Sequence, residues 1–433
     1  MGSERLLDVT NGAREGNGTA PAARSDLATF GHGGFATDYE ARIDMEALRG
    51  ERLRRARKAL AASEFDALLT WKDENVRFLT GLRAQLIQGK TALLNGCLLT
   101  EEELVLFVSG GEIDRVRLVM PWVEEVHAVP IMEARGLIAG TVENVIAPVL
   151  RRHGLAAARL GLDELSYAQV LELGRSLPQL RLGDGDALMQ GVRAVKSTAE
   201  LAVMEEASAI AEAVTQTAID TVRPGVREYD VVAEAMHTLY RLGGEMAHLA
   251  TPFVASGEHM SPPNRFASDK VIREGDLVFI DIGAMWNGYF SDMGRTVICG
   301  EPLRRQQEVF TAVHASLRAA TEAMRPGNTN DDVAAAVRSA GDMFGLGEHF
   351  LSLFIGHGVG IGANEPPYIG EALPGASTVP LEPGMTMAIE PLIWVPGVRG
   401  GAGVRLEDTV VVAEGGGRAL TRTSFDRRLI LDE

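Results

Sequence analysis

Two aspartates in the second half of the chain have the spacing of a cation site. They lie 11 positions apart in GDLVFIDIGAMWNGYFSDMGRT (275–296), where Asp281 ends an apolar run and Asp292 follows a glycine-containing turn. The apolar run predicts a buried strand, and a buried carboxylate is costly unless it is paired or bound to a metal. Two carboxylates side by side repel each other unless a cation lies between them. The segment therefore predicts a hairpin that presents both aspartates to a cation.

Three further candidate ligands follow along the chain, each beside an apolar run. His357 lies between glycines in IGHGVG, Glu390 ends TMAIE, and Glu407 ends GVRLE before TVVV. Four carboxylates and one imidazole form an oxygen-rich set that suits Mn²⁺, Fe²⁺, Co²⁺ or Zn²⁺. Such a set fits a two-metal site, with ions about 3.5–4 Å apart that activate a bound water. Each residue alone has an ordinary structural explanation, so that only the whole set predicts a metal centre.

Helix and strand signals predict two domains that position these residues. Apolar residues at helical spacing over 45–62 predict an amphipathic helix, and short strand-like runs alternate with helical segments after it. This alternation is typical of an α/β domain. A capping-box pattern from Ser197 to Glu200 then predicts the first helix of an α+β domain. The predicted units are a flexible arm at 1–36, an α/β domain at 37–188 and a metal-binding catalytic domain at 189–433.

Composition and charge limit the classes of function. The formal net charge of −17 over 433 residues disfavours binding to nucleic acid and to anionic membranes. Two cysteines, Cys97 and Cys299, exclude a disulfide framework. No apolar stretch is long enough to span a bilayer, and the first residues have no secretory apolar segment. We therefore expect a cytoplasmic protein that binds neither nucleic acid nor a membrane.

The five candidate ligands and their neighbours resemble the pita-bread metallopeptidase family, which includes methionine aminopeptidase, prolidase and aminopeptidase P. The motifs are GY before Asp292 and RT after it, GHGxG around His357, AIEP around Glu390 and RLED around Glu407. NVRFLTG and its surroundings are similar to the N-terminal domain of the prolidase and creatinase branch. The resemblance implies a creatinase/aminopeptidase-like pita-bread fold, a homodimer, and two divalent ions held by all five residues. Manganese is the first expectation, with iron, cobalt and zinc left open.

Two asparagines depart from the family pattern. Asn364 stands in NEPP where the family has His-Glu-x-Pro, and Asn264 takes the place of a histidine after VASG. The resemblance implies that the family histidines hold the scissile carbonyl and transfer a proton during the reaction. Asparagine cannot transfer a proton near neutral pH. We predict that Glu390 moves the proton and that both asparagines orient the substrate. His259 could replace the first histidine, and Arg399 could bind a substrate carboxylate.

Three functions stay open on this reading. The first is a hydrolase that cleaves a small peptide or amide with a metal-bridged water, Xaa-Pro dipeptides being first in line by resemblance. The second is a metal-dependent lyase or hydrolase of a small non-peptide metabolite. The double asparagine motivates it, because the dimethylsulfoniopropionate lyases of this fold also keep metal carboxylates and lack both histidines. The third is a binding protein without catalysis, against which the retention of all five ligands argues.

Overall fold

The computed structural model describes most of the chain after its N-terminal segment. The described residues are 42–83, 95–130, 135–263, 266–351, 354–371, 375 and 377–431. The arm predicted at 1–36 lies outside them, as does Asn264. Among the helices of these residues, none is long and apolar enough to cross a bilayer.

A six-stranded sheet with flanking helices forms the first half of the described chain. The strands are β1 (Ala67–Thr70), β2 (Gly96–Leu99), β3 (Leu104–Ser109), β4 (Glu125–Val129), β5 (Arg159–Leu162) and β6 (Arg181–Asp184), in the spatial order β4-β3-β2-β1-β5-β6. The helices are α1 (Met45–Ala61), α2 (Asp73–Thr80), α3 (Ile113–Val119), α4 (Arg135–Thr141), α5 (Ala147–Arg152), α6 (Tyr167–Ser176) and α7 (Gly185–Ala194). Strand β2 pairs antiparallel with both β1 and β3, and the remaining pairs are parallel.

The apolar sequence of the central strands explains why this half forms a layered α/β unit. Strands β1 and β2 read ALLT and GCLL, and every side chain in them is buried. Strands without polar alternation are typical of sheets covered on both faces. Helix α1 begins after Asp44, whose carboxylate accepts a hydrogen bond from the Ala47 N–H. The predicted α/β architecture and the helix at 45–62 are confirmed.

The second half combines four long helices with short antiparallel sheets, as the predicted α+β class requires. The helices are α8 (Thr198–Thr221), α9 (Glu228–Arg241), α10 (Arg304–Ala323) and α11 (Asn330–Asp342). The first strands are β7 (Met246–Ala247), β8 (Phe253–Ser256), β9 (Leu277–Asp281), β10 (Ala284–Trp286), β11 (Tyr289–Ser291) and β12 (Gly294–Ile298). The later strands are β13 (Gly356–Gly358), β14 (Glu365–Ile369), β15 (Thr386–Ile389), β16 (Leu392–Trp394), β17 (Gly403–Arg405), β18 (Asp408–Val411) and β19 (Arg418–Ala419). They form sheets in the orders β11-β10-β7, β12-β9-β8, β14-β13-β15-β18-β19 and β16-β17.

Two of the predicted ligands point away from the helices, because side chains alternate between the two faces of a strand. In β9, Val278 and Ile280 pack into the apolar core that contains α8 and α9. Side chains alternate along a strand, so Asp281 points to the opposite face. In β15, Met387 and Ile389 pack into the core that contains α10 and α11, which leaves Glu390 on the other face by the same rule. The two helix-covered cores therefore leave carboxylates facing the interior between them.

The predicted hairpin after Asp281 is formed by β10 and β11. Its turn residues, Asn287 and Gly288, have φ angles of 44° and 85°. Two positive φ angles define the tight turn that Asn-Gly favours between antiparallel strands. Asp292 follows directly after β11, so the hairpin returns the chain to the level of Asp281.

Buried ion pairs join the two halves of the molecule. Arg77 on α2 donates to Glu245 at 2.8 Å, and both side chains are almost fully buried. Arg193 on α7 pairs with Glu365 on β14 at 3.1 Å. The predicted boundary between 188 and 189 lies within α7, the helix that supplies Arg193.

Candidate metal centre

All five predicted ligands line one cavity of about 260 Å³. Each is between 1% and 4% exposed. They reach the cavity from separate elements: the end of β9, the residue after β11, β13, the residue after β15 and the residue before β18. The five residues are far apart in sequence, and they meet because each lies within a strand or directly beside the end of one. The five are Asp281, Asp292, His357, Glu390 and Glu407.

Backbone and hydroxyl contacts fix Asp292 and Glu407 relative to each other. The Asp292 N–H donates to Thr409 Oγ1 at 2.9 Å, and the Thr409 hydroxyl donates back to the Asp292 carbonyl at 2.7 Å. Arg295 donates to the Glu407 carbonyl at 2.6 Å and to Asp408 Oδ1 at 2.7 Å. The two carboxylates are therefore held by contacts that leave their own oxygens free to bind another group.

Several carboxylate oxygens in the cavity have no hydrogen-bond donor among the described residues. They are Oδ1 of Asp281, Oδ1 of Asp292 and Oε2 of Glu407. Burial raises the pKa of Asp292 and Glu407 well above their ordinary values, and the neighbouring carboxylates raise both further. Buried anionic oxygens without donors are what a pair of divalent cations would satisfy. The donor set therefore fits two metal ions.

Among the described residues, Arg405 provides the positive charge beside this cluster of buried carboxylates. Its guanidinium pairs closely with Glu390 and lies 3.4 Å from Asp281 Oδ2. One guanidinium cannot balance four buried carboxylates, so the remaining negative charge again favours bound cations.

Hydrogen bonding prepares His357 to bind a metal through Nε2. Its Nδ1 lies 2.9 Å from the Gly358 carbonyl, which can only accept, so Nδ1 carries the proton. The bare Nε2 then faces Glu390 and Asp292, at 3.4 and 3.7 Å. Metal-binding histidines commonly donate their other N–H to a carbonyl in this way.

A second histidine, which sequence reasoning missed, lies in the same cavity. His248 Nε2 is 3.3 Å from Asp281 Oδ1 and 3.4 Å from Asp292 Oδ1. Burial lowers its pKa, whereas the nearby Asp281 and Glu390 oppose that shift. The segment GGEMAHLATPF carries no motif around this histidine, so only the pairing of the short strand β7 with β10 reveals its position.

The other predicted site residues lie at different distances from the cavity. Asn364 is exposed and lines the cavity at its rim. His259 is half-buried, with Nδ1 3.3 Å from Glu228, and Arg399 is exposed. Neither of these two is among the described residues that line the cavity, and their substrate roles stay predictions.

Glu365 anchors the glycine-rich loop that connects His357 to Asn364. Its carboxylate accepts from Arg193 and from Lys196, each at 3.1 Å, and all three side chains are buried. A Cβ atom at Gly360 would lie 2.7 Å from Glu365 Oε1 and 2.8 Å from Lys196 Cε. The loop is rich in glycine because the backbone passes directly over this ion pair.

We expect Glu365→Gln to lower the free energy of unfolding by about 3–5 kcal/mol, because it leaves two buried cations without their anion. Burial opposes ionisation of Glu365, but Lys196 and Arg193 outweigh it and lower its pKa. The stabilisation is therefore present above the unfolded pKa of about 4.3 and is lost as the pH falls through the lower folded value. Urea unfolding at pH 7 and below pH 4 measures both effects.

Glu205→Gln is the matched control for this substitution. Glu205 pairs with Arg418 at 2.9 Å, but both side chains are about half exposed. An exposed pair contributes about 0–1 kcal/mol, so the control should unfold almost like the unsubstituted protein. Equal effects of the two substitutions would contradict an anchoring role for Glu365.

Both halves of the chain match known protein families. Residues 202–414 match metallopeptidase family M24, and residues 52–195 match the creatinase/prolidase N-terminal domain. The Xaa-Pro dipeptidase of Pyrococcus furiosus is 35% identical over 265 residues, which cover 61% of this chain and 74% of the relative. The Xaa-Pro dipeptidase of Pyrococcus horikoshii is 28% identical over 386 residues, covering 88% and 99%. The solved structure of an Xaa-Pro dipeptidase from Bacillus anthracis has a TM-score of 0.74 at 25% identity, covering 87% and 99%.

Proposed function

This chain belongs to metallopeptidase family M24, and we propose that it hydrolyses Xaa-Pro dipeptides at a pair of divalent metal ions. Its creatinase-like N-terminal domain and pita-bread C-terminal domain agree with the fold predicted from the sequence. The observation that carries the proposal is the convergence of four carboxylates and His357 on one buried cavity, with carboxylate oxygens that lack donors.

The proposed metal ligands are the five residues of the cavity. Asp281, Asp292 and Glu407 would hold or bridge both ions, and His357 and Glu390 would both bind the same one of them. The oxygen-rich set favours manganese, with iron, cobalt or zinc as alternatives. Metal pairs of this kind lower the pKa of a bound water and polarise a carbonyl.

The surrounding residues bind and orient the substrate. Glu390 is the proposed proton carrier, and its close ion pair with Arg405 fixes the direction of the carboxylate. Asn364 lies at the cavity rim, where its amide can donate to and accept from a peptide backbone. The cavity volume of about 260 Å³ is just below the range of about 300–1,000 Å³ typical of drug-sized ligand sites, in agreement with a small substrate such as a dipeptide.

We expect the manganese-loaded protein to release proline from Xaa-Pro dipeptides and to act more slowly on dipeptides without proline. Amine release across a panel of both kinds, with metal content measured on the same sample, tests this expectation. A protein that holds two ions and cleaves no dipeptide would exclude the peptidase. The lyase alternative, motivated by the two asparagines, would then be tested with small sulfonium compounds.

We also propose a cytoplasmic homodimer. The homodimer rests on the family resemblance, and the cytoplasmic location rests on the composition of the chain. Light scattering of the purified protein measures the oligomeric state directly.

A further inference from the structure

His248 lies where a substrate bound in the cavity would contact it. Its side chain is 8% exposed, and it lines the cavity together with Asn364 and Glu390. Strand β7 positions it, because Ala247 pairs with Ala284 of β10. This pairing brings His248 against the backbone that follows Asp281.

The hydrogen bond at Nδ1 determines which nitrogen of His248 carries the proton. The Gly283 N–H donates to Nδ1 at 2.7 Å. A backbone N–H can only donate, so Nδ1 is the bare nitrogen and Nε2 is the protonated one. Only glycine allows this approach, because a Cβ atom at position 283 would lie 2.2 Å from the Ser291 carbonyl and 2.8 Å from His248 Nδ1.

The two histidines of the cavity are therefore in opposite tautomers. His357 donates from Nδ1 to the Gly358 carbonyl and keeps Nε2 bare for a metal. His248 accepts at Nδ1 and carries its proton on Nε2, which lies 3.3 Å from Asp281 Oδ1 without a hydrogen bond to it. The distances from His248 to Asp281 and Asp292 would also suit a metal ligand, but a protonated nitrogen cannot bind a cation. Its hydrogen bonding thus favours a donor over a sixth ligand.

We propose that His248 is a further catalytic residue, whose Nε2–H donates a hydrogen bond to the carbonyl oxygen of the substrate. The inference rests on the proposed hydrolase function and names the group that contacts the reacting carbonyl. The oxygens that now face Nε2 belong to proposed metal ligands, so bound ions would occupy them and leave the N–H for the substrate. The donor keeps its proton throughout, and no proton transfer is required of it.

This role compensates in part for the asparagine at the rim. Asn364 can donate a hydrogen bond to the carbonyl only from an exposed position, whereas His248 is buried beside the carboxylates. A donor held in a buried site stabilises developing negative charge more strongly than one in water. Removing one such donor typically lowers kcat by about 10²–10³-fold.

The test compares His248→Leu with His248→Gln in the metal-loaded protein. Leucine removes the donor, whereas glutamine places an amide N–H near the position of Nε2. We expect kcat for an Xaa-Pro dipeptide to fall about 10²–10³-fold with leucine and to recover in part with glutamine. His237→Gln, an exposed histidine on α9, is the control and should change nothing. Turnover by His248→Leu equal to that of the unsubstituted protein would overturn the proposal.

Metal content and the tautomer provide readouts that do not depend on turnover. All variants should bind two ions per chain, because His248 is not a ligand in this proposal. Nitrogen-15 NMR of the zinc-loaded protein should show His248 protonated at Nε2 and His357 protonated at Nδ1. Loss of one ion in His248→Leu, or a metal-bound nitrogen on His248, would make this residue a ligand and refute the donor.

Binding of a phosphinic dipeptide analogue separates failure of this inference from failure of the proposed function. The tetrahedral phosphinate imitates the oxygen that His248 would contact, and calorimetry measures its affinity without turnover. We expect His248→Leu to bind it at least about tenfold more weakly, as the loss of one hydrogen bond to a charged group predicts. An unsubstituted protein that binds the analogue but cleaves no dipeptide would exclude the peptidase alone. Equal affinity of the variant and the unsubstituted protein would exclude the donor alone, and no binding by either, together with no cleavage of dipeptides, would exclude both.

Discussion

Asp292→Asn is expected to remove bound metal and to lower dipeptide turnover by at least about 10³-fold. A bound metal contributes several kcal/mol of transition-state stabilisation, and about 1.4 kcal/mol corresponds to a factor of ten in rate. Asp292 is central to this effect because its carboxylate lies close to the ligand atoms of both His357 and Glu407. Metal analysis and steady-state kinetics on the same sample measure the two losses together.

The same substitution should leave the metal-free protein as stable as before, or more stable. Burial and the neighbouring carboxylates raise the pKa of Asp292, so its ionised form destabilises the fold when no cation is bound. That destabilisation grows as the pH rises above the unfolded carboxyl pKa of about 3.9, because the folded protein then binds more protons than the unfolded chain. Thermal unfolding of chelator-treated samples at pH 5 and pH 8 tests the sign.

Asp276→Asn is the matched control for Asp292→Asn. Both aspartates are 3% exposed, but Asp276 accepts from Lys270 at 3.0 Å and does not line the cavity. Its substitution should lower stability and leave two ions bound. The control is expected to lose stability and to keep both ions. If Asp292→Asn behaved in the same way, Asp292 would be a structural residue and the proposed metal centre would be wrong.

Asn364→His is expected to raise kcat for Xaa-Pro dipeptides by about 10²-fold, the lower end of what general acid–base help contributes. The imidazole can transfer a proton near neutral pH, which the amide cannot. The loop should tolerate the change because Asn364 is exposed and the adjacent Glu365 is anchored by Arg193 and Lys196. The pH profile should gain an ionisation near 6.5, the ordinary histidine value.

Asn364→Gln separates proton transfer from simple contact. Glutamine keeps the amide and adds a methylene, so it should show neither the gain in rate nor the new ionisation. An unchanged rate with histidine would mean that position 364 takes no part in proton transfer. A higher kcat with both substitutions would indicate that the size of the side chain at position 364, and not proton transfer, changes the rate.

The predicted ligands could be recognised from the sequence because each one interrupts a local pattern. Asp281 ends an apolar run, and strand alternation alone places it on the face opposite Val278 and Ile280. Glu390 ends the apolar run TMAI in the same way. Local periodicity thus predicts which carboxylates are buried and on which face, without any knowledge of distant partners.

His248 could not be recognised in this way, because its environment depends on long-range pairing. Strand β7 has two residues, and its partner β10 lies more than 30 positions later in the chain. The tautomer depends on Gly283, whose importance is apparent only once its N–H is seen against Nδ1. The same holds for Glu365, which reads as part of a loop motif but pairs with two cations near α7.

The buried ion pairs between the halves have a consequence for how the molecule unfolds. Arg77 and Arg193 lie in the first half, and their partners Glu245 and Glu365 lie in the second. Separating the halves would leave buried charges without partners, which typically costs several kcal/mol for each pair. The two halves should therefore melt in a single cooperative transition, and a fragment that begins at α8 should be less stable than its own apolar core suggests. In this chain the N-terminal half therefore braces the loop that carries Asn364 against local unfolding.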